Sequence, residues 1–459
     1  MNQDSGSKEM TSQQTNGHHT NGTNGTHANG TNGSNGASNL GKYIPKGASG
    51  IGVHDMVPEL GYREYWYPAV EQNRIGKRPV ALTLLGDQIV FFRDQKDEVV
   101  ALTDTCPHRG AFLSGGTGKG PGNHEFKGFI TCPYHGYTFD GTGQCVAALT
   151  DGPESKLAPK LKARKYPTQT QRGVVYIWMG VTEPVPLEED LPEEFFDPDV
   201  EVMTYVKNWP MNWSLTMENS RDSHNSKIHR GGIRRLISGQ LFNPLPAFWE
   251  GTEITEEGDN YICIAPKVRQ SNGKSMTQGY FPLLGKKWPQ HDWWRFRSTR
   301  RVNPLTEQKH AFNNRRPGGL YRLPSIACPS ARGQSQHLRY FTPIDANNTR
   351  MFTFAMKKVR NRLLPKLWWK FFYHTFYVYF NAPQTTNEKE DFPIQAVGTL
   401  DPHSDQKLGA TDAAIIFWRR RMPWKSRDAQ RIWGEAVAGN AAKTIEQDEE
   451  REAVELPLT

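Results

Sequence analysis

Apolar and polar residues alternate along "ALTLLGDQIVFFRDQKDEVVALTDTC" (81–106), broken by a Gly-Asp turn at 86–87 and a polar turn around 94–98. That period of two, rich in Val, Leu and Phe, predicts strand–turn–strand–turn–strand, ending at Cys106. "YREYWYPAV" (62–70) opens the ordered chain, "YTFDGTGQCVAAL" (137–149) predicts a hairpin on an Asp-Gly turn, and "GVVYIWMG" (173–180) predicts a closing strand. Residues 51–180 therefore read as a small all-β domain. Beyond it, "NYICIAPKV" (260–268), "WWRFRSTRRV" (293–302) and "HLRYFTPIDANNTRMFTFAMKKV" (337–359) predict strands of an antiparallel sheet. Residues 426–454 read as an amphipathic helix. The aromatic run "LLPKLWWKFFYHTFYVYF" (363–380) reads as a buried helix beside a pocket, with a membrane-surface helix anchored by Lys366 and Lys370 as the alternative. The stretch 231–292 is long and aromatic, and suits the wall or lid of a pocket for a bulky apolar substrate.

Composition changes this picture at the N-terminus. Six Asn-Gly pairs lie between Asn16 and Gly36, a stretch with almost nothing to bury, so residues 1–50 are expected as a disordered polar tail. With 459 residues the rest can hold two sizeable cores, and the expected division is 51–180 and 181–459. The formal charge of +8 is scattered rather than concentrated, which argues against nucleic acid as a partner. No run of eighteen apolar residues occurs, so no transmembrane segment is expected. Five cysteines in so long a chain do not suggest a disulfide scaffold, and a reducing, cytoplasmic location fits them best.

The chemistry is concentrated in two short loops. "CPHRG" (106–110) returns as "CPYHG" (132–136), giving Cys106-x-His108 and Cys132-x₂-His135. A zinc finger keeps Cys with Cys and His with His, the latter on a helix. Here each loop supplies one of each and no helix pattern follows. A Rieske [2Fe–2S] centre needs this mixed supply, with two thiolates on one iron and two imidazoles on the other. Pro107 and Pro133 stiffen the loops, while Gly110 and Gly136 let the backbone approach a cluster closely.

On "CPHRG", "CPYHG" and the "WYP" at 66–68, the chain resembles the large catalytic subunits of the Rieske non-haem iron oxygenases. It departs from them in a longer insertion between His108 and Cys132, and in Tyr137, which stands where the family often has tryptophan. The Rieske subunit of respiratory complexes, the next resemblance, adds a cysteine to each loop and a membrane helix, and this chain has neither pattern.

The resemblance implies an α+β architecture: the N-terminal all-β Rieske domain, then a catalytic domain whose antiparallel sheet grips helices. It also implies a mononuclear Fe(II). The segment "ENSRDSHNSKIH" (218–229) matches the family pattern that supplies two histidine ligands, His224 and His229. On a regular helix these two lie about 140° apart, so sharing a metal requires a widened or broken helix. The third ligand implied is the carboxylate of Asp391 in "EDFPIQ", with the neighbouring Glu390 as the alternative, completing two histidines and one carboxylate. The family also places an acidic residue three before the first histidine, linking the two metal centres. Here Asp222 sits two before His224, and Glu218, one turn earlier, is the alternative.

The implied activity is hydroxylation of an apolar, bulky aromatic or polycyclic substrate with O₂. Electrons come from NAD(P)H indirectly, through an external ferredoxin or flavin reductase, because the chain carries no GxGxxG unit and no plant-type ferredoxin cysteine run. A homotrimer is implied, each Rieske centre serving a neighbour's iron. The same ligands also serve dioxygenation, demethylation and desaturation. A Rieske electron carrier without oxygenase chemistry is the rival class.

Overall fold

The computed structural model describes residues 57–76, 78–115, 126–220, 249–268, 319–328, 331–332, 335–359, 363–375 and 412–432. The first part supplies ten strands: β1 (Trp66–Glu71), β2 (Val80–Leu84), β3 (Asp87–Arg93), β4 (Val99–Thr103), β5 (Ile130–Thr131), β6 (Tyr137–Phe139), β7 (Cys145–Ala148), β8 (Lys165–Tyr166), β9 (Thr168–Gln171) and β10 (Val174–Trp178). They form three antiparallel sheets, ordered β1-β10-β9, β2-β3-β4-β8 and β5-β6-β7. The alternation read at 81–106 is β2, β3 and β4. Its second turn is made by Asp94, whose Oδ1 accepts the amides of Lys96 and Glu98, both at 2.9 Å. Asp140 repeats the device between β6 and β7, taking the amide of Thr142 at 2.8 Å.

The second part is built on one large antiparallel sheet. Its strands are β11 (Val200–Trp209), β12 (Trp249–Glu257), β13 (Tyr261–Val268), β14 (Gly319–Arg322), β15 (Ile326–Cys328), β16 (Ala331–Arg332), β17 (Ser335–Asp345) and β18 (Asn348–Lys358). Their order is β11-β18-β17-β15-β14-β13-β12, with β16 paired to β17. Helices α1 (Trp213–Asn219), α2 (Leu363–Phe372) and α3 (Ala413–Arg421) accompany it. Asn212 caps α1, its side chain accepting the Ser214 amide at 2.9 Å. The antiparallel sheet with helices is the expected architecture.

One core runs through both parts, taking in Trp66 and Trp178 from the first and Tyr340, Phe352 and Trp418 from the second. Thr342 Oγ1 donates to the Pro68 carbonyl at 2.9 Å and Arg350 Nη1 to that of Ala69 at 3.0 Å, so β17 and β18 grip β1 through its backbone. A smaller separate core lies beneath the two Cys/His loops and contains Leu102, Leu113, Ile130, Phe139 and Cys145. The loops thus sit on their own packed platform.

At α2 the sequence expectation is corrected. Trp369 and Tyr373 are buried against Ala355, Met203 and Tyr205, but Leu363, Leu364, Leu367, Trp368 and Phe371 are exposed. Lys366 and Lys370 do not anchor an outward face, because both bind Glu201 of β11, at 3.1 and 3.2 Å. Apolar content alone could not separate the inner from the outer stripe, since both stripes are apolar.

Candidate functional site

The two loops are folded alike. The Cys106 amide donates to the Ala111 carbonyl and the Cys132 amide to that of Tyr137, each at 2.8 Å. Gly110 and Gly136 return the bond to the Cys106 and Cys132 carbonyls at 2.9 and 3.0 Å. Both glycines hold positive φ, +76° and +69°, which closes each loop four residues after its cysteine. The histidine can therefore stand at the second or third place after the cysteine without changing the frame. This is why the unequal spacings of the two motifs make matched loops.

The frame sorts the donors by type. Cys106 and Cys132 are buried, and their thiols are hydrogen-bonded to each other. That bond draws Cys132 down to about 6 with Cys106 as donor; the amides of Tyr134 and His135 also lower it, against burial. The same bond and burial push Cys106 up, while the amides of His108 and Arg109 oppose them. Each sulfur thus receives the backbone N–H groups two and three residues on, as a thiolate requires. The imidazoles of His108 and His135 meet nearer the surface, ring centroids 4.8 Å apart.

These donors fit an iron–sulfur centre. His135 Nδ1 is buried with no hydrogen-bond partner, a position that a metal would satisfy. Thiol faces thiol and imidazole faces imidazole, so the four residues divide two and two, as the two irons of a Rieske cluster require.

Comparison with known proteins agrees. Residues 65–162 match the family model described as a Rieske [2Fe-2S] domain, and residues 178–245 match one described as a homotrimeric ring hydroxylase. The two matched segments, in this order, are those found in the Rieske non-haem iron oxygenases. Among curated members of that family, the chain is 32% identical over 176 residues to the terminal oxygenase component of carbazole 1,9a-dioxygenase from Metapseudomonas resinovorans, covering 38% of this chain and 44% of that protein. It is 34% identical over 184 residues to the chloroplastic pheophorbide a oxygenase of Oryza sativa subsp. japonica, covering 37% and 33% respectively. The match thus spans less than half the length of either relative. A solved reduced complex between oxygenase and ferredoxin in carbazole 1,9a-dioxygenase superposes with a TM-score of 0.61 at 22% identity, over 82% of this chain and 92% of that one. At that identity the superposition shows the fold alone, and it extends past the sequence matches into the large sheet. A Rieske oxygenase holds a [2Fe–2S] cluster and a mononuclear iron.

The residues expected at the mononuclear iron, His224, His229 and Asp391, lie outside the described residues, as do Asp222, most of 231–292 and the insertion at 116–125. The helix leading to them is described. Glu218, the alternative link between the metals, has both oxygens held by Arg419 of α3 at 2.6 Å. That pairing makes it one half of a buried ion pair between α1 and α3.

Two bracing carboxylates escaped the sequence reading. Buried Asp104 takes the Ser114 amide at 2.7 Å and its hydroxyl at 2.6 Å, fixing the segment that leaves the first loop. Asp151 takes the Tyr137 hydroxyl at 2.6 Å beside the second. Each is a lone acidic residue within a turn-rich segment, and no spacing distinguishes it from a solvated one.

Proposed function

We propose that the chain is the terminal oxygenase of a Rieske system that hydroxylates an apolar, bulky aromatic or polycyclic substrate. The observation that carries this reading is the matched pair of loops, with thiols inside and imidazoles outside, joined through one core to a large antiparallel sheet. In this reading residues 51–180 form the cluster domain and 181–459 the catalytic domain. Cys106 and Cys132 hold the inner iron of the cluster, and His108 and His135 the outer. His224, His229 and Asp391 hold the mononuclear iron. When bound, the cluster supplies single electrons and the mononuclear iron supplies the place where O₂ is activated beside the substrate.

The protein's own residues direct the electron. Burial of the thiols leaves the imidazole edge as the side that faces a partner, with the Tyr134 ring 3.8 Å from that of His135 and Arg109 over Tyr134 at 5.8 Å. A ferredoxin or flavin reductase drawing on NAD(P)H delivers electrons, and the ferredoxin complex formed by the structural relative favours the former. Asp222 links the two centres across a homotrimer, consistent with the trimeric description of the family matched at 178–245. The named substrates of the relatives, carbazole and pheophorbide a, favour a large ring system.

The test is turnover under ¹⁸O₂ with a surrogate ferredoxin and reductase and a panel of fused-ring aromatics, read by mass spectrometry. Product carrying ¹⁸O is expected, from protein holding about three irons per chain. A cluster that reduces and reoxidises while no panel member gains label, in protein with two irons per chain, would mark an electron carrier instead.

A further inference from the structure

The Tyr137 side chain is almost fully buried, and its ring lies 4.6 Å from that of His108, centroid to centroid. Its hydroxyl donates to Asp151 Oδ2 at 2.6 Å, and the same oxygen takes the Ser155 hydroxyl at 3.0 Å. The two residues before Asp151 hold the second loop directly. Thr150 Oγ1 donates to the His135 carbonyl at 2.8 Å, and the Leu149 amide to that of Gly136 at 3.1 Å. Residues 149–151 therefore grip one loop through its backbone and reach the imidazole of the other through Tyr137.

The carboxyl of Asp151 is held below the usual range, first by the Tyr137 hydrogen bond and then by that of Ser155, with His108 and His135 adding attraction. It carries its negative charge at neutral pH. Reducing the cluster adds one electron, and a negative charge nearby opposes that addition. Asp151 is exposed, so its influence passes partly through solvent and is screened by salt.

We propose that Asp151 is a positioning residue for the imidazole pair: it fixes Tyr137 against His108 and sets a charge that keeps the cluster harder to reduce. The proposal rests on the two loops being the cluster site. Nothing in the family match assigns a role to this residue, and the tyrosine through which it acts is the position where this chain departs from the family's tryptophan.

The experiment is a redox titration with dithionite and mediators, followed by the EPR signal of the reduced cluster, on wild type, Asp151→Asn, Asp151→Glu and Tyr137→Phe. Asp151→Asn is expected to shift the midpoint potential upward, while Asp151→Glu, which keeps the charge, stays near wild type. Tyr137→Phe frees the carboxylate without removing it, and is expected to shift the potential the same way by less. The Asn shift should shrink between low salt and 1 M salt, which a merely structural change would not do. If Asp151→Asn and Tyr137→Phe both titrate with wild type at low salt, the proposal is overturned. The Tyr137→Phe comparison decides alone if the Asn variant fails to hold its cluster. Wild type lacking a Rieske signal would instead overturn the site assignment on which the proposal stands.

Discussion

Glu218 and Arg419 form a two-point ion pair, Nε to Oε1 and Nη2 to Oε2, each at 2.6 Å, with both side chains buried. The pair ties the last turn of α1 to α3 through two residues 201 positions apart. Breaking a buried pair by removing one partner leaves the other charge unpaired, at a cost of about 3–5 kcal/mol. Glu218→Gln is expected to lose stability of that order in urea unfolding. A double replacement by leucines should cost much less, because it buries no orphan charge. Equal losses for the single and double variants would show that packing, not charge, governs the contact. Because α1 leads into the segment carrying His224 and His229, the single variant should also retain less mononuclear iron.

Gly110 and Gly136 occupy matched places in the two loops, but their surroundings differ. A Cβ at Gly110 would meet nothing within 4 Å, whereas one at Gly136 would lie 2.7 Å from Leu149 Cβ. Alanine at either position pays the left-handed backbone penalty of roughly 1–2 kcal/mol. Only Gly136→Ala must also displace Leu149, and with it the amide that bonds the Gly136 carbonyl. Gly136→Ala is therefore expected to show the larger drop in melting temperature and in cluster occupancy. Similar losses in both would mean that backbone strain alone decides.

How much of this was legible in the sequence depends on the range of the interaction. β2, β3 and β4 were readable because alternation is local, and the turn between β3 and β4 was readable from its aspartates and polar residues. The two Cys/His loops stood out in the sequence because few residue types bind iron and both pairs stand in five-residue motifs. The matching hydrogen bonds within the loops were not, since they depend on the positive φ of Gly110 and Gly136 together. The pairs Glu218–Arg419 and Tyr137–Asp151 were invisible for a different reason. A carboxylate's partner is chosen by the fold, and nothing in the neighbouring residues marks it. The outward stripe of α2 failed on the same ground: two apolar faces give no sign of which one the sheet takes.

The mononuclear site is tested by separating its iron from that of the cluster. His224→Ala is expected to lose about one iron of three per chain, if two sit in the cluster and one at the proposed mononuclear site. The EPR signal of the reduced cluster should remain, since its ligands lie in other loops. Oxygen incorporation should vanish while reduction of the cluster persists. Unchanged iron content in that variant would remove His224 from the ligand set.

Asp190 gives the protein a pH dependence of definite sign. It is fully buried, takes the Trp66 amide at 2.9 Å and binds Arg427 Nη1 at 2.8 Å. Burial raises its carboxyl to about 6, against the pull of Arg427, of the Trp66 amide and of Arg322. In the unfolded chain the group titrates near its ordinary 3.8. Between these values the folded protein holds a proton that the unfolded chain has released, so stability falls as pH rises through about 4 to 6. Below that window the contribution is fully present, and above it the loss is complete. Asp428, also raised by burial, acts in the same direction, whereas Glu64 and Asp197, both lowered, act in the opposite one. Asp190→Asn should therefore remove one part of the slope rather than flatten the whole curve. The measurement is the difference in unfolding free energy between wild type and Asp190→Asn at half-unit steps from pH 4 to 7. A difference that changes across pH 4 to 6 and is constant above it is expected; one that is constant throughout would show that Asp190 stays ionised beside Arg427 over the whole range.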